Sequence, residues 1–407
     1  MDVEDFMSFS PVAAAKTKDP GGRVAAADVP WAATADLEDR PNPLVALHNE
    51  ILAFVDLVSL GDDEETERRD SLNDLRAVVK SIWPDAATEV FGSQLTELYL
   101  PSSDIDVVVF GAPGTDKAKL HRLAAELTAR NLAANMEVVD SARIPIVKFE
   151  HANTGVAFDV SFDVESGLRT GRVIKDFMKQ LPALRAVVMV LKYFLNQREL
   201  NETYSGGMGS YMTQLLVVSF LQMRLRTDHA TNFPSVPNLG ALLLEFFELY
   251  SRDFNFVTTG ICVRGDGSYF PKQGRGWFYQ NRPMLLAIEN PDDAKFDVGK
   301  NSFAINRIKR AFEQAHLHLT VALTARDWDK SSLLASIIYP DDPALAGRTL
   351  NAEVGKPARK RAKHEAPPSA KKAQSPASEE PKKKTKKKKN KRKRKSDDED
   401  DEIEGLL

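Results

Sequence analysis

The spacing of hydrophobic residues divides the first part of the chain into helical and strand-like stretches. Apolar residues recur at helical spacing from Leu44 to Val58 and from Leu72 to Ile82, and Pro84 ends the second helix. A helical stretch near Lys117–Arg130 then interrupts a series of short runs rich in β-branched residues, which is the pattern of strands. These runs are Thr88–Phe91, Ile105–Phe110, Met136–Val139, Ile144–Phe149 and Val156–Phe162.

Helical spacing returns after Gly171 and accounts for most of the later apolar residues. Only the segment 253–301, which is rich in Gly and Pro, looks irregular. Strands mixed with helices, followed by helices alone, predict an α+β protein. The later predicted helices are Val173–Met178, Leu184–Leu195, Tyr211–Arg226, Leu239–Tyr250 and Ser302–Ala315.

Two folded domains are expected from this order of elements and from a length of 407 residues. The strands predict a palm-like domain with a small mixed sheet over residues 86–167. Helices at 42–85 and 168–340 would form a mostly helical central domain, with a cleft where it meets the palm. Residues 1–41 and 341–407 lack apolar periodicity, and we expect both segments to be disordered.

Charge is distributed unevenly along the chain. The net charge is only −3, but residues 354–407 carry +9 and residues 1–353 carry −12. The single cysteine, Cys262, cannot form an internal disulfide, and no Cys/His zinc pattern is visible, so a packed thiol in a reducing compartment fits best. No apolar run approaches the roughly 20 residues of a membrane span, and no signal-peptide pattern opens the chain. We therefore expect a soluble intracellular protein.

Three aspartates stand out within the predicted strands. Asp104 and Asp106 open one strand and are two residues apart, so their carboxylates should project from the same face. Asp159 takes the polar side of a second strand. If the two strands are neighbours, three carboxylates meet on one face, and their repulsion would be relieved by divalent cations such as Mg²⁺. Such a site suits two-metal phosphoryl chemistry. Taken alone, an Asp-X-Asp pair is more often a solvated strand end.

A Gly-Ser turn upstream makes the catalytic interpretation more specific. Gly92 and Ser93 follow a strand and precede Asp104 by about a dozen residues. Glycine allows the backbone to approach a ligand closely, and a serine hydroxyl with backbone N–H groups can hold phosphate oxygens.

These motifs resemble those of the DNA polymerase β-like nucleotidyltransferases. Within that superfamily, the chain is most similar to the nuclear poly(A) polymerase subunit of TRAMP complexes, from about Asn42 to Leu319. The matching stretches are Phe91-Gly92-Ser93 through Asp104-Ile105-Asp106, Trp83-Pro84-Asp85, Arg143 to Phe149, and Leu243 to Tyr250.

The resemblance implies a role for each matching position. Asp104, Asp106 and Asp159 would be the catalytic metal ligands, for two Mg²⁺ (or Mn²⁺) ions, with ATP as substrate. A recognition loop is expected at 288–301, within which Pro291–Lys300 carries the likeness. The nucleotide would be bound by Gly92, Ser93, Gly167, Lys192, Ser210, Tyr211, Phe296 and Lys300. Without the resemblance, Lys192 is more often a snorkelling side chain, and Tyr211 is equally an ordinary core aromatic.

Two positions depart from the family pattern. Ser166 stands where the family usually has an asparagine that contacts the ribose 2′-hydroxyl. Phe296 stands where the recognition loop often has asparagine, and where uridylyl-adding relatives tend to have histidine. The missing histidine disfavours UTP, but phenylalanine cannot make the polar contact of asparagine. The adenine preference is therefore an expectation from the whole pattern.

The predicted function is template-independent addition of AMP to RNA 3′ ends, in nuclear RNA surveillance with the exosome. A uridylyl or broad-specificity transferase of the same fold and a catalytically silent RNA-binding scaffold are the alternatives. No RNA-recognition module is visible. We therefore expect a separate RNA-binding partner. The resemblance implies that this partner is a zinc-knuckle protein and that an RNA helicase completes the complex. No membrane association is expected from the apolar pattern.

The basic tail fits the same setting. Pro381 to Lys395 is almost entirely lysine and arginine, and Ser396 to Glu402 is acidic. A solvated disordered run is the simplest interpretation, and nuclear import or nonspecific phosphate contact are its functional ones. We expect the protein in the nucleus, in nucleolus or nucleoplasm.

Overall fold

The computed structural model describes residues 23–32, 42–142, 144–231 and 238–348, without the side chains of 227–231. Its longer helices are α1 (Pro43–Leu57), α2 (Asp62–Ile82), α3 (Gly92–Thr96), α4 (Asp116–Ala129), α5 (Ser166–Gln180), α6 (Leu184–Asn196), α7 (Ser210–Thr231), α8 (Leu239–Glu248) and α9 (Ile305–Thr324). The strands are β1 (Ala87–Val90), β2 (Ile105–Phe110), β3 (Ala133–Val139), β4 (Ile146–His151), β5 (Ala157–Phe162), β6 (Thr259–Cys262) and β7 (Ser268–Pro271).

Local sequence explains where the first helices begin. The Asn42 side chain accepts a hydrogen bond from the Val45 backbone N–H at 3.0 Å, and Pro43 occupies the first turn of α1. In α2 the first turn is acidic, and Glu64 accepts a hydrogen bond from the Gly61 N–H at 3.0 Å. These carboxylates complement the positive end of the helix dipole.

The five-stranded sheet has the order β1-β2-β5-β4-β3 and is mixed. Strands β2 and β5 are parallel, whereas the other neighbours are antiparallel. The α+β fold predicted from the sequence is confirmed. The sheet brings β5, which carries Asp159, beside β2, which follows Asp104.

Two hydrophobic cores fill the described chain. One lies under the sheet and includes apolar residues of α2 and α4. The other is built from α1 and the later helices α5 to α9. The domain division expected at residue 86 stays a prediction, but α2 shares the core of the sheet while α1 joins the helical core.

The N-terminal residues 23–32 depart from the expected disorder. Trp31 is fully buried, its ring meets Phe54 edge-on at 5.3 Å between centroids, and its indole N–H donates to Glu50 at 3.3 Å. A single tryptophan in an alanine-rich stretch gives no periodicity, so the sequence pattern could not reveal this anchor. The remaining residues of the two expected disordered ends, 1–22, 33–41 and 349–407, lie outside the described residues.

Segment 253–301, expected to be irregular, contains the β6–β7 hairpin and short helical turns at Lys272–Arg275 and Val298–Asn301. Its strands are only four residues long, which is too short for a clear alternation. Within the described ranges, no single helix is long and apolar enough to cross a membrane. The bent pair α1 and α2 meets that test only when taken together.

Candidate active site

The three aspartates converge on neighbouring strands. Asp106 and Asp159 are register partners in the parallel pair β2–β5, and Asp104 immediately precedes β2. Burial, followed by the charges of Asp159 and Asp104, raises the pKa of Asp106 to about 7. Burial and the charge of Asp159 also raise the pKa of Asp104. The carboxylates are thus close enough to oppose one another's ionisation.

Gly92 lies directly against this cluster. It is the first residue of α3 and has a φ of +60°. A Cβ at this position would fall 2.0 Å from Oδ2 of Asp106. The turn is held in place because the Phe91 N–H donates to the Asp106 carbonyl at 3.0 Å. Only glycine satisfies both the backbone angle and the close approach to the carboxylate.

Lys148 completes a row of charges across the sheet. It is the register partner of Asp159 on β4, and its Nζ lies 2.6 Å from Oδ2 of Asp159. Burial alone would lower the pKa of Lys148, but the hydrogen bond and charge of Asp159 raise it. Across the sheet, two neighbouring carboxylates, Asp106 and Asp159, are therefore followed by one ammonium group, that of Lys148.

The oxygen atoms of the three aspartates suit a divalent cation, although the aspartates do not yet form a complete metal site. Among the described residues, no three carboxylate, imidazole or thiolate groups are close enough to hold a metal ion together. Even so, Asp104, Asp106 and Asp159 supply the hard oxygen donors that Mg²⁺ prefers, and their mutual repulsion calls for positive charge. The ammonium group of Lys148 now supplies part of that charge. Metal binding would require Asp159 to give up at least part of its contact with Lys148 in favour of the metal ion.

Two further cations hold the loop between α3 and Asp104. Lys192, on α6, is 8% exposed and donates to the Leu98 carbonyl at 2.5 Å. Burial lowers its pKa to about 8, while the charge of Asp106 acts in the opposite direction. From α2, Arg68 donates to the Ser103 carbonyl at 2.8 Å and to Gln94 at 3.2 Å. These contacts fix the approach to Asp104 from both ends of the loop.

Hydrogen bonds join Tyr211, one of the predicted nucleotide-binding residues, to the recognition loop. The Tyr211 hydroxyl donates to Oδ1 of Asn290 at 3.0 Å, and the Asp292 N–H donates to the same oxygen at 3.2 Å. Arg169, in the first turns of α5, is 2.8 Å from Asp292. Gly167, in the same turn, leaves no room for a side chain, because a Cβ would lie 2.3 Å from the Phe91 ring. This network connects the start of α5, Tyr211 and the recognition loop.

The remaining predicted residues lie at the edges of this arrangement. The Asn290 N–H donates to the Phe296 carbonyl at 3.0 Å, and Nζ of Lys300 lies 5.2 Å from the Phe296 ring centroid. Ser210 is exposed and begins α7, one residue before Tyr211. Ser93 is half-buried beside Gly92, and its carbonyl accepts from the Leu98 N–H at 3.2 Å.

Three contributors to the site were not predicted as site residues from the sequence. Lys148 could have been suspected, since a lysine on a strand facing an aspartate is an ordinary cross-strand pair. Asn290 and Arg169 form contacts over 79 and 123 residues of sequence. No local pattern signals contacts of that range.

Comparison with known proteins gives the same picture. Residues 47–179 match the model of the central palm domain of mitochondrial-like poly(A) RNA polymerases, and residues 238–296 match the Cid1 family poly A polymerase model. The poly(A) RNA polymerase cid14 of Schizosaccharomyces pombe is 38% identical over 72% of this chain and 45% of its own length. A Drosophila melanogaster protein named as an inactive poly(A) RNA polymerase, Trf4-2, is 35% identical over 72% of each chain.

A solved structure of the polymerase core of TRAMP, an RNA surveillance complex, superposes with a TM-score of 0.70 and 36% identity, covering 76% of this chain and 99% of the other. The chain spans about half, or less, of the length of the fungal relatives it matches first. The two matched family models nevertheless cover the sheet and part of the helical region, and positions 104, 106 and 159 lie within the first of them. The chain therefore belongs to the poly(A) RNA polymerase family of nucleotidyltransferases related to Cid14 and Trf4.

Proposed function

We propose that this protein is a template-independent RNA nucleotidyltransferase that adds AMP from ATP to RNA 3′ ends. The observation that carries the proposal is the register of Asp106 beside Asp159, with Gly92 packed against Asp106 where no Cβ fits. In the reaction, the RNA 3′ hydroxyl oxygen attacks the α-phosphorus of ATP. A new phosphodiester bond forms, the bond to the β-phosphate breaks, and pyrophosphate leaves with the electron pair.

Asp104, Asp106 and Asp159 would hold two Mg²⁺ (or Mn²⁺) ions. When bound, such ions lower the pKa of the attacking hydroxyl and stabilise the leaving pyrophosphate. Lys148 and Gly92 act as positioning residues in this scheme. Lys148 orients the Asp159 carboxylate, and Gly92, which has no side chain, leaves room for the Asp106 carboxylate.

The nucleotide would lie between the aspartates and the recognition loop. Gly92, Ser93, Lys192 and Ser210 are proposed to contact its phosphates. Gly167, at the start of α5, would lie beside the ribose, and Tyr211 would stack on the base. Phe296 and Lys300 would line the recognition loop. The bond from Tyr211 to Asn290 supports this assignment, because it fixes the ring of a residue that must present a flat face to a base.

Selectivity for ATP is supported by the relatives named as poly(A) RNA polymerases, although Phe296 and Ser166 supply weaker polar contacts than the family pattern. A uridylyl or broad-specificity transferase is the second candidate. The weaker polar contacts at these two positions favour broad specificity, whereas the missing histidine at position 296 disfavours a preference for UTP. Family membership alone does not establish catalysis, because one relative is named inactive. The intact trio of aspartates favours an active enzyme over a silent scaffold.

A 3′-end extension assay on labelled RNA, with each NTP supplied separately, tests the proposal. We expect extension with ATP and Mg²⁺, and loss of extension in Asp104→Ala. Equal activity of this variant would refute the metal-ligand assignment. Better extension with UTP than with ATP would promote the second candidate, and no incorporation of any nucleotide would favour the scaffold.

We further propose that the protein acts in the nucleus, on RNAs destined for exosome decay, within a TRAMP-like complex that contains a zinc-knuckle protein and an RNA helicase. Similarity to the TRAMP polymerase core supports this setting. The net charge of −12 over residues 1–353 disfavours RNA binding by the folded part alone. Deleting residues 381–395 should move a tagged protein to the cytoplasm. Unchanged nuclear accumulation would count against the tail as an import signal.

A further inference from the structure

A surface pocket of about 560 Å³ lies beside the recognition loop and shares Lys300 with it, but contains none of the three aspartates. This volume is within the range of about 300–1,000 Å³ that small-molecule-sized groups occupy. Its lining combines one exposed aromatic ring with amides and two cations, and none of its described lining residues is acidic. The residues that matter are Tyr279, Gln280, Asn281, Arg282, Lys300 and Asn301.

The surroundings of the pocket extend the aromatic surface. The Arg282 guanidinium lies 5.6 Å from the ring centroid of Phe303, which is 48% exposed. Phe303 in turn covers Gly206, where a Cβ would lie 2.3 Å from the ring. Tyr204, in the same loop, is 82% exposed. Exposed aromatic rings next to arginine are the usual elements of a stacking platform for single-stranded nucleic acid.

Two connections place this surface next to the catalytic region. The Ala304 N–H, next to Phe303, donates to the Gly206 carbonyl at 2.9 Å, in the loop that leads to Ser210 and Tyr211. Lys300 belongs both to the pocket and to the recognition loop, where its Nζ faces Phe296 at 5.2 Å from the ring centroid. The pocket surface is therefore connected to two segments of the candidate site, the recognition loop and the loop before α7.

We propose that this pocket binds a nucleotide of the RNA substrate upstream of its reacting 3′ end. The inference rests on the proposed function, because an enzyme that extends RNA must hold the strand behind the 3′ hydroxyl. Tyr279 supplies a stacking face, the amides of Gln280 and Asn281 can pair with base edges, and Arg282 can hold a phosphate. Residues 1–353 carry a net charge of −12, so two cations without a lining carboxylate form a local attraction for the RNA backbone.

Equilibrium binding to fluorescent RNA tests the pocket without requiring catalysis. The probes are a long oligoadenylate (about fifteen nucleotides) and a trinucleotide, which is too short to span from the 3′ end to a remote subsite. The full chain is compared with Tyr279→Ala, Tyr279→Phe and Arg282→Ala. Arg122→Ala is the matched control, because Arg122 is an exposed arginine on α4.

We expect Tyr279→Ala to weaken binding of the long RNA by about 5- to 20-fold, while Tyr279→Phe stays within about twofold of wild type because the ring is kept. The advantage of long RNA over the trinucleotide should shrink in Tyr279→Ala. Arg282→Ala should reduce the slope of log affinity against log salt by about one phosphate contact, and Arg122→Ala should not.

Unchanged affinity for long RNA in both Tyr279→Ala and Arg282→Ala would overturn the proposal. If these variants instead lose a protein that copurifies with the wild type while RNA affinity is unchanged, the pocket is a protein-docking site and the RNA assignment is wrong. If wild type incorporates no nucleotide and Tyr279→Ala still weakens RNA binding, the proposed function fails while the RNA-binding pocket stands.

Discussion

Replacing Gly92 by alanine is the sharpest perturbation that the structure offers. The added Cβ would fall 2.0 Å from Oδ2 of Asp106, whereas real Cβ contacts are no shorter than 3.0 Å. The Asp106 carboxylate must therefore move by about 1 Å, because it is the side chain that can give way more easily than the backbone of the turn. A displacement of this size at a reacting centre lowers rates by about 100-fold or more.

The effect on stability should be much smaller. Gly92 has a φ of +60°, and placing an alanine in the left-handed region costs roughly 1–2 kcal/mol. Gly111 is the matched control, because it follows β2, has a φ of +75°, and has open space where its Cβ would lie. Gly111→Ala thus carries the same backbone strain without displacing Asp106.

The two variants are compared by 3′-end extension and by thermal unfolding. Both melting temperatures should fall by a few degrees. Extension by Gly92→Ala should be at least about 100-fold slower than wild type, and Gly111→Ala should stay within about threefold. The reasoning fails if Gly92→Ala extends RNA as well as Gly111→Ala does, since the position of Asp106 would then not depend on the missing side chain.

Three further predictions concern the network, the charge and the anchor around the site. Arg169→Asp should raise the KM for ATP up to about fivefold, and combining it with Asp292→Arg should restore most of the loss, because the double variant exchanges the two charges and solvent screens the contact at the half-exposed Arg169; a double variant without any rescue would show that the pair does not contribute. Because the pKa of Asp106 is raised from 3.8 to about 7, the metal-free protein should lose stability as pH rises through that interval. The melting temperature of Asp106→Asn should therefore exceed that of wild type by an amount that grows across the interval. A constant difference between the two melting temperatures in EDTA buffer would contradict this. Glu50→Ala should lower the free energy of unfolding, measured in urea, by at least about 3 kcal/mol, because the buried donors of Trp31, Leu333 and Leu334 lose their acceptor. A loss below about 1 kcal/mol would refute the role of Glu50 as their common acceptor.

The sequence predicted the parts of the site that depend on short-range geometry. Alternation along a strand placed Asp104 and Asp106 on one face, and the Gly-Ser turn marked a close approach of the backbone. Whether Asp159 would meet them depended on strand order, which no local pattern contains. The register of β2 with β5 supplies that condition.

Other features depend on which surfaces meet across long stretches of sequence. Helices α1 and α2 share the same helical spacing, yet they join different hydrophobic cores. Asn290 contacts Tyr211, and Trp31 contacts Glu50, through side chains that have no periodic signal of their own. Periodicity identifies an apolar face, but the partner of that face is determined only by the packed chain.

The charges at the site also bear on the choice between an enzyme and a scaffold. Burial with two neighbouring carboxylates makes ionised Asp106 unfavourable, and the charges of Lys148 and Lys192 offset this only in part. A scaffold without catalysis would be more stable with a neutral residue in place of Asp106, and it would not need a glycine at position 92 to make room for the carboxylate. Positive charge that enters between these aspartates during function would stabilise the ionised carboxylates. The combination of buried carboxylates with a glycine that leaves them space therefore favours metal-dependent nucleotidyl transfer over passive RNA binding.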